Sequence, residues 1–139
     1  MVGFVIATHG KFAEGLMDAV DLIMGEQENT EMIGLHHGDD VSQFGDSLAD
    51  KVKKVSTGDG VIVFADLFGA SPYNQAALCS RKIEGIPYKL ITGVSLPMLV
   101  QAFNDRMLGK NIEEIKASSM EAGKKGIIEF FDEMQTQNK

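Results

Sequence analysis

The sequence predicts an α/β fold, a doubly wound and mainly parallel sheet with helices on both faces. Three observations carry this. Four short runs rich in β-branched and aromatic residues alternate with stretches whose apolar residues recur at steps of three and four. Two of those runs, residues 2–8 and 61–65, are almost wholly apolar, as strands covered on both faces are. Turn-forming residues separate the segments, and no second pattern or internal repeat interrupts the alternation. With strand order 2-1-3-4, the first and third strands are neighbours where the order reverses, and their carboxyl ends face one crevice.

The elements follow in order. Residues 2–8 form the first strand, and Phe12, Leu16, Ala19, Val20 and Ile23 place a helix after it that stops before Gly25. Residues 30–35 make a weaker second strand that ends in His36-His37-Gly38. Val41, Phe44, Leu48, Val52 and Val55 give the clearest helix, broken by residues 56–60. Residues 61–65 are the strongest strand. Ser71 as N-cap with Pro72 at the first helical position opens a helix running to about Arg81. Residues 88–92 supply the fourth strand, and Ser95 caps a helix through Met107. Asn111 with Glu114 predicts a capping box for a last helix, which Gly123 and Gly126 interrupt. Beyond them, Ile127-Ile128-Glu129-Phe130-Phe131 gathers four large apolar residues in five. Two outcomes are open there: a C-terminal helix packed on its own subunit, or an antiparallel edge strand exchanged with a second subunit over 124–131. Residues 132–139 are expected to be a tail, and 1–139 a single domain.

A net charge of −7 argues against binding nucleic acid or an anionic membrane and favours a basic protein partner. Cys79 is the only cysteine, so an intrachain disulfide and a cysteine-built metal site are both excluded. It stands among Ala76, Ala77 and Leu78, as a core residue would. No segment reaches membrane-spanning length and the N-terminal run does not fit a signal peptide, so a cytoplasmic location is expected.

The chemistry is expected at two strand ends. His9 closes the first strand and Asp66 follows the third. A carboxylate that holds one ring nitrogen as N–H leaves the other with its lone pair, which makes an imidazole a nucleophile. The turn Gly69-Ala70-Ser71-Pro72 then runs into a helix N-terminus, where free N–H groups and the dipole attract anions. Together these suggest phosphoryl transfer through a phosphohistidine. The chain has no G-x-x-x-x-G-K-[ST] loop, so the donor is expected to be a phosphoprotein rather than a nucleotide. The blander account makes His9 a turn residue, Asp66 a cap and Ser71-Pro72 a plain helix start.

Thr8-His9-Gly10 with Phe12, Gly15 and Leu16, then Asp66-Leu67-Phe68-Gly69-Ala70-Ser71-Pro72-Tyr73-Asn74, then Thr92-Gly93-Val94-Ser95-Leu96-Pro97-Met98-Leu99, closely resembles the mannose-class EIIA proteins of the bacterial phosphoenolpyruvate:sugar phosphotransferase system. The resemblance spans nearly the whole chain. It implies a phosphotransferase component, a homodimer in the cytoplasm, that takes a phosphoryl group from phospho-HPr on His9 and passes it to an EIIB domain. The membrane subunits EIIC and EIID are then reached only indirectly. It further implies that Asp66 orients the ring, that Ser71, Gly69 and Ala70 bind the phosphoryl group, and that Phe68 and Leu67 meet the partner. No cofactor or metal is expected. The chain departs from the family at Ala70, where Gly-Gly-Ser-Pro is common, and at Ser95, where asparagine is common. Its length suggests a free-standing EIIA rather than one fused to EIIB.

Two alternatives stay beside this. One is the EIIA-like phosphoryl donor of a dihydroxyacetone kinase, where the turn tends to read His-Ser rather than His9-Gly10. The other is a flavodoxin-like enzyme with His9 as general base. His36-His37-Gly38-Asp39-Asp40 as a metal cluster is the weaker account of that turn, because adjacent histidines seldom converge on one ion. Lys51, Lys53 and Lys54 are expected on a solvated helix face, and the eight methionines mainly in the core.

Overall fold

The computed structural model describes residues 1–137. Its elements are β1 (Gly3–His9), α1 (Phe12–Met24), β2 (Thr30–Leu35), α2 (Val41–Val55), β3 (Val61–Ala65), α3 (Ser71–Cys79), β4 (Tyr88–Ile91), α4 (Leu96–Met107), α5 (Ile112–Lys125) and α6 (Phe130–Gln137). The four strands are all parallel in the order β2-β1-β3-β4, as the pattern predicts. Strand alternation sorts the core into two layers. Phe4, Ile6, Ile62 and Phe64 face α1, α4 and α5, whereas Val5, Ala7, Val61 and Val63 face α2 and α3. β1 and β3 are buried on both faces, which explains their unbroken apolar character.

The caps hold the helices where the sequence places them. Asp40 accepts the Gln43 N–H at 2.9 Å to start α2, and Ser95 accepts the Met98 N–H to start α4. The Asn111–Glu114 box is complete, with Asn111 Oδ1 accepting the Glu114 N–H at 2.9 Å and Glu114 Oε1 accepting the Asn111 N–H at 3.4 Å. Gly123 does not break α5, as the pattern had suggested; it lies inside it. A Cβ there would stand 2.9 Å from Met98 Cε, so this glycine lets α5 pack closely on α4.

The expected edge strand does not form in the single chain. Residues 124 and 125 close α5, residues 127–129 are irregular, and α6 begins at Phe130. The Glu129 carboxylate accepts the Asp132 N–H at 2.8 Å, and Asp132 and Glu133 lie in the first turn, where a helix dipole favours acidic residues. Nor does α6 pack on its own subunit: none of its residues is buried, and Ile127, Ile128, Phe130 and Phe131 are exposed. The tail expected over 132–139 is helical to Gln137, and residues 138 and 139 lie outside the described residues.

At the end of the sheet opposite His9, Arg106 is buried on α4. It donates to the Val2 and Asn29 carbonyls, each at 3.1 Å, and its guanidinium lies 4.5 Å from the Phe4 ring centroid. Burial lowers its pKa to about 10, and it serves to tie the strand N-termini to the helix layer. No helix among the described residues is long and apolar enough to cross a membrane.

Candidate active site

The crossover at the β1–β3 boundary brings His9 and Asp66 together. Ala7 pairs with Ala65 in register, so His9 and Asp66 leave the two strands at matching ends. His9 Nδ1 lies 2.8 Å from Asp66 Oδ2, and the same oxygen accepts the His9 main-chain N–H at 2.9 Å. One carboxylate oxygen thus fixes both the ring and the backbone of the histidine. The His9 side chain is 47% exposed and that of Asp66 only 13%. Burial raises the Asp66 pKa, but the main-chain and ring hydrogen bonds from His9, with the ring's charge, more than offset it, and the net shift is downward from 3.8. An ionised Asp66 can only accept, so Nδ1 carries a proton, and in the neutral ring Nε2 is left with the lone pair.

The backbone around His9 is built to present it. Gly10 takes φ +54°, which turns the chain sharply from β1 towards α1, and its N–H donates to the Leu35 carbonyl at 2.8 Å. Gly34 on β2 makes room for that turn: a Cβ there would come within 2.0 Å of the Gly10 carbonyl oxygen. Thr8, fully buried, accepts the Ala13 N–H on its hydroxyl at 2.8 Å. Sequence reasoning assigns Gly34 no role, and Thr8 enters only as part of the Thr8-His9-Gly10 motif. For Thr8 the available signal was a threonine four residues ahead of a helix whose N-cap position holds Lys11, a residue with no capping oxygen.

The loop after Asp66 forms the second wall. Leu67 and Phe68 are 60% and 74% exposed, and the Phe68 ring packs on Tyr73 at 5.0 Å between centroids. Gly69 takes φ +81°, and its carbonyl accepts from Asn74 Nδ2 at 3.1 Å. Ala70 stands at the N-cap position of α3 with φ −86°, so glycine is not required there and the departure from Gly-Gly is conformationally harmless. Ser71 is therefore not the expected N-cap but the first helical residue, with Pro72 the second, and no side chain caps this helix. The first-turn N–H groups of Ser71 and Tyr73 have no acceptor within the helix, which makes this N-terminus suited to an anion.

Of the other candidates, the His36 ring comes nearest: its Nε2 lies 3.2 Å from where a Gly34 Cβ would stand, the same point that meets the Gly10 carbonyl. His36 and Asp39 close a turn on each other, the His36 N–H donating to the Asp39 carboxylate at 2.7 Å and the Asp39 N–H to the His36 carbonyl at 3.1 Å. Among the described residues no group of three or more histidine, cysteine or acidic side chains is placed to hold a metal. Cys79 is buried in the α2–α3 layer, where burial pushes its thiol pKa up. Met98 is in the core, but Met107 and Met120 are exposed. Lys51 and Lys54 reach across to Glu31 on β2.

A family model described as the PTS system fructose IIA component, of the EIIA-man type, matches residues 3–120. The mannose-specific EIIAB component of Escherichia coli (strain K12) is 31% identical over 126 residues, 91% of this chain and 38% of that protein. The chain therefore spans well under half the length of that relative. The fructose-specific EIIA component of Bacillus subtilis (strain 168) is 26% identical over 125 residues, 88% of this chain and 84% of that one. Among solved structures, a phosphotransferase system EIIA from Streptococcus agalactiae has a TM-score of 0.87 at 24% identity, covering 95% of this chain and 99% of that one. The mannose/sorbose-specific IIA subunit from Enterococcus faecalis has a TM-score of 0.80 at 22% identity, covering 92% and 93%. At those identities the two structures speak for the fold alone.

Proposed function

This chain belongs to the mannose-class EIIA family of the bacterial phosphoenolpyruvate:sugar phosphotransferase system, and from that premise we propose that it is a phosphocarrier whose His9 accepts a phosphoryl group from phospho-HPr and passes it to an EIIB domain. The observation that carries this reading is the 2.8 Å contact between His9 Nδ1 and Asp66 Oδ2, on a half-exposed ring beside the N-terminus of α3.

The step follows from the tautomer. The Nε2 lone pair attacks phosphorus, the bond between phosphorus and the donor breaks, and its electron pair leaves with the donor. No proton has to move at His9, because Nδ1–H stays on Asp66 throughout. The ring becomes cationic as Nε2–P forms, and the adjacent carboxylate stabilises that charge. The N–H groups at the start of α3, with the Ser71 hydroxyl and the Gly69-Ala70 backbone, hold the phosphoryl oxygens. Leu67 and Phe68 give the partner an apolar contact two residues from the chemistry, and the net charge of −7 favours a basic face on it. The carrier works as a single domain in the cytoplasm, its reach to EIIC and EIID passing through EIIB.

A homodimer suits the exposed C-terminal segment. Ile127, Ile128, Phe130, Phe131 and Met134 leave an apolar surface open, interleaved with Glu129, Asp132 and Glu133. A groove of about 520 Å³ beside β4 has an apolar floor that includes Met98 and Met120, is edged by Ile127 of the same chain, and carries Lys124 together with Lys89 and Lys116, which share Glu113. The acidic apolar segment of one copy matches that groove on another in both polarity and charge.

Incubation with phosphoenolpyruvate, Enzyme I and HPr tests the phosphocarrier reading. The expected result is a label on this chain that leaves when EIIB is added. A chain that stays unlabelled with active Enzyme I and HPr is not a phosphocarrier, and the general-base alternative would then stand.

A further inference from the structure

The hydroxyl of Thr8 takes no part in the transfer chemistry above, yet it sits at the junction that aims His9. Thr8 is fully buried on the α1 side of the sheet. Its Oγ1 accepts the Ala13 N–H at 2.8 Å and donates to the His9 carbonyl at 3.2 Å. Lys11, at the N-cap position of α1, makes no side-chain cap, so Thr8, three residues before it, supplies what the helix lacks locally. His9 is consequently held from both sides of its main chain, with its N–H on Asp66 Oδ2 and its carbonyl on Thr8 Oγ1. The Gly10 N–H on the Leu35 carbonyl closes the turn.

We propose that Thr8 is a positioning residue for phosphoryl transfer, its hydroxyl locking the His9 backbone to the start of α1 so that Nδ1 stays on Asp66 and Nε2 points outward. This rests on the reading of His9 as the nucleophile. The mechanism is geometric. The ring's direction is fixed by the His9 Cα–Cβ bond and by one carboxylate oxygen that also holds the main-chain N–H. Any tilt of the His9 peptide therefore moves both hydrogen bonds at once. Without the hydroxyl, the buried Ala13 N–H loses its acceptor and the His9 carbonyl its donor. The Gly10–Lys11 turn must then shift or admit water. A displacement on the order of 1 Å at a reacting group can cost roughly a hundredfold in rate.

Thr8→Val keeps the side chain's volume and removes the hydroxyl, whereas Thr8→Ser keeps the hydroxyl and removes the methyl. Nitrogen-15 NMR of the His9 ring in the unphosphorylated protein reads the tautomer without any transfer step. Wild type and Thr8→Ser should show one tautomer, Nδ1–H, and Thr8→Val a mixture. Single-turnover transfer from phospho-HPr should fall roughly 10- to 100-fold at saturating donor in Thr8→Val, with half-saturation little changed, and recover in Thr8→Ser. Thr8→Ala, also without the hydroxyl, replaces the valine variant if that one fails to fold. A folded Thr8→Val protein with the wild-type ring signature and rate overturns the proposal. So does a serine variant as impaired as the valine one, which would assign the effect to the methyl's packing. If the wild-type protein takes no label at all, the phosphocarrier reading fails, while the ring signature still decides the role of Thr8.

Discussion

Replacing Asp66 with asparagine keeps the side chain's shape and removes its charge. Asp66 Oδ2 accepts both the His9 N–H at 2.9 Å and Nδ1 at 2.8 Å, and with 13% exposure little water screens it. A hydrogen bond to a charged group contributes about 1.5–3 kcal/mol and a neutral one about 0.5–1.5, so the variant gives up about 1–2 kcal/mol as positive charge develops on the ring. That corresponds to a transfer rate lower by about 5- to 30-fold. A much larger loss, ~10⁴-fold, accompanies the analogous change in a serine protease, where the amide selects the wrong tautomer. Here the His9 main-chain N–H needs an acceptor at the very point Oδ2 occupies, which keeps the amide oxygen turned towards His9 and the loss at the lower end. Rapid-quench measurement of single-turnover transfer from phospho-HPr is the assay. A rate equal to wild type would refute the pairing, and a 10⁴-fold loss would refute the argument that the main chain holds the amide in place.

Acid stability gives an independent view of the same group. The folded pKa of Asp66 is lowered from 3.8, so its contribution to stability is present above the unfolded value and is lost as pH falls through the folded one. Asp66→Asn should flatten the acid-unfolding profile below about pH 4, and superimposable profiles would count against a stabilising His9–Asp66 contact. Gly34→Ala should push the Gly10 turn outward, since its Cβ meets the Gly10 carbonyl at 2.0 Å; calorimetry should show a loss of about 1–3 kcal/mol, with transfer slowed, and an unchanged melt would mean that the turn is free to move. Stopped-flow association with HPr should slow as ionic strength rises, because a chain of net charge −7 steers a basic partner; a flat profile would assign the encounter to the apolar contacts around Phe68. Light scattering should find the full chain dimeric and a version ending at Lys125 monomeric or precipitating, and a monodisperse full-length monomer would remove the dimer.

Much of the fold was legible because local signals agreed with the global pattern. β2 and β3 and helix α2 fall on the residues their periodicities predict, and the Asn111–Glu114 box forms as its spacing implies. The His9–Asp66 pair was legible as well, because parallel topology with order 2-1-3-4 sends both strand ends to one place. What escaped was set by tertiary contact. Gly123 looks like a helix breaker in one dimension and is a packing seam against Met98 in three. Gly34 carries no local signal, since its need arises from a carbonyl 24 positions away in sequence. Thr8 accepts a helix N–H five residues further on, beyond the usual capping spacing. The segment 127–131 was open for a different reason: β-branched and aromatic residues favour a strand only where a partner edge exists, and in the single chain Glu129 caps a helical turn instead.

The most direct test of the account is where the phosphoryl group sits. Phospho-HPr should label wild type, His36→Ala and His37→Ala to the same extent and leave His9→Ala unlabelled but folded. The label should be acid-labile and lie on Nε2 of His9, distinguished from Nδ1 by phosphorus–nitrogen coupling in the NMR spectrum. Undiminished labelling of His9→Ala, or a phosphoryl group on Nδ1, would contradict the account.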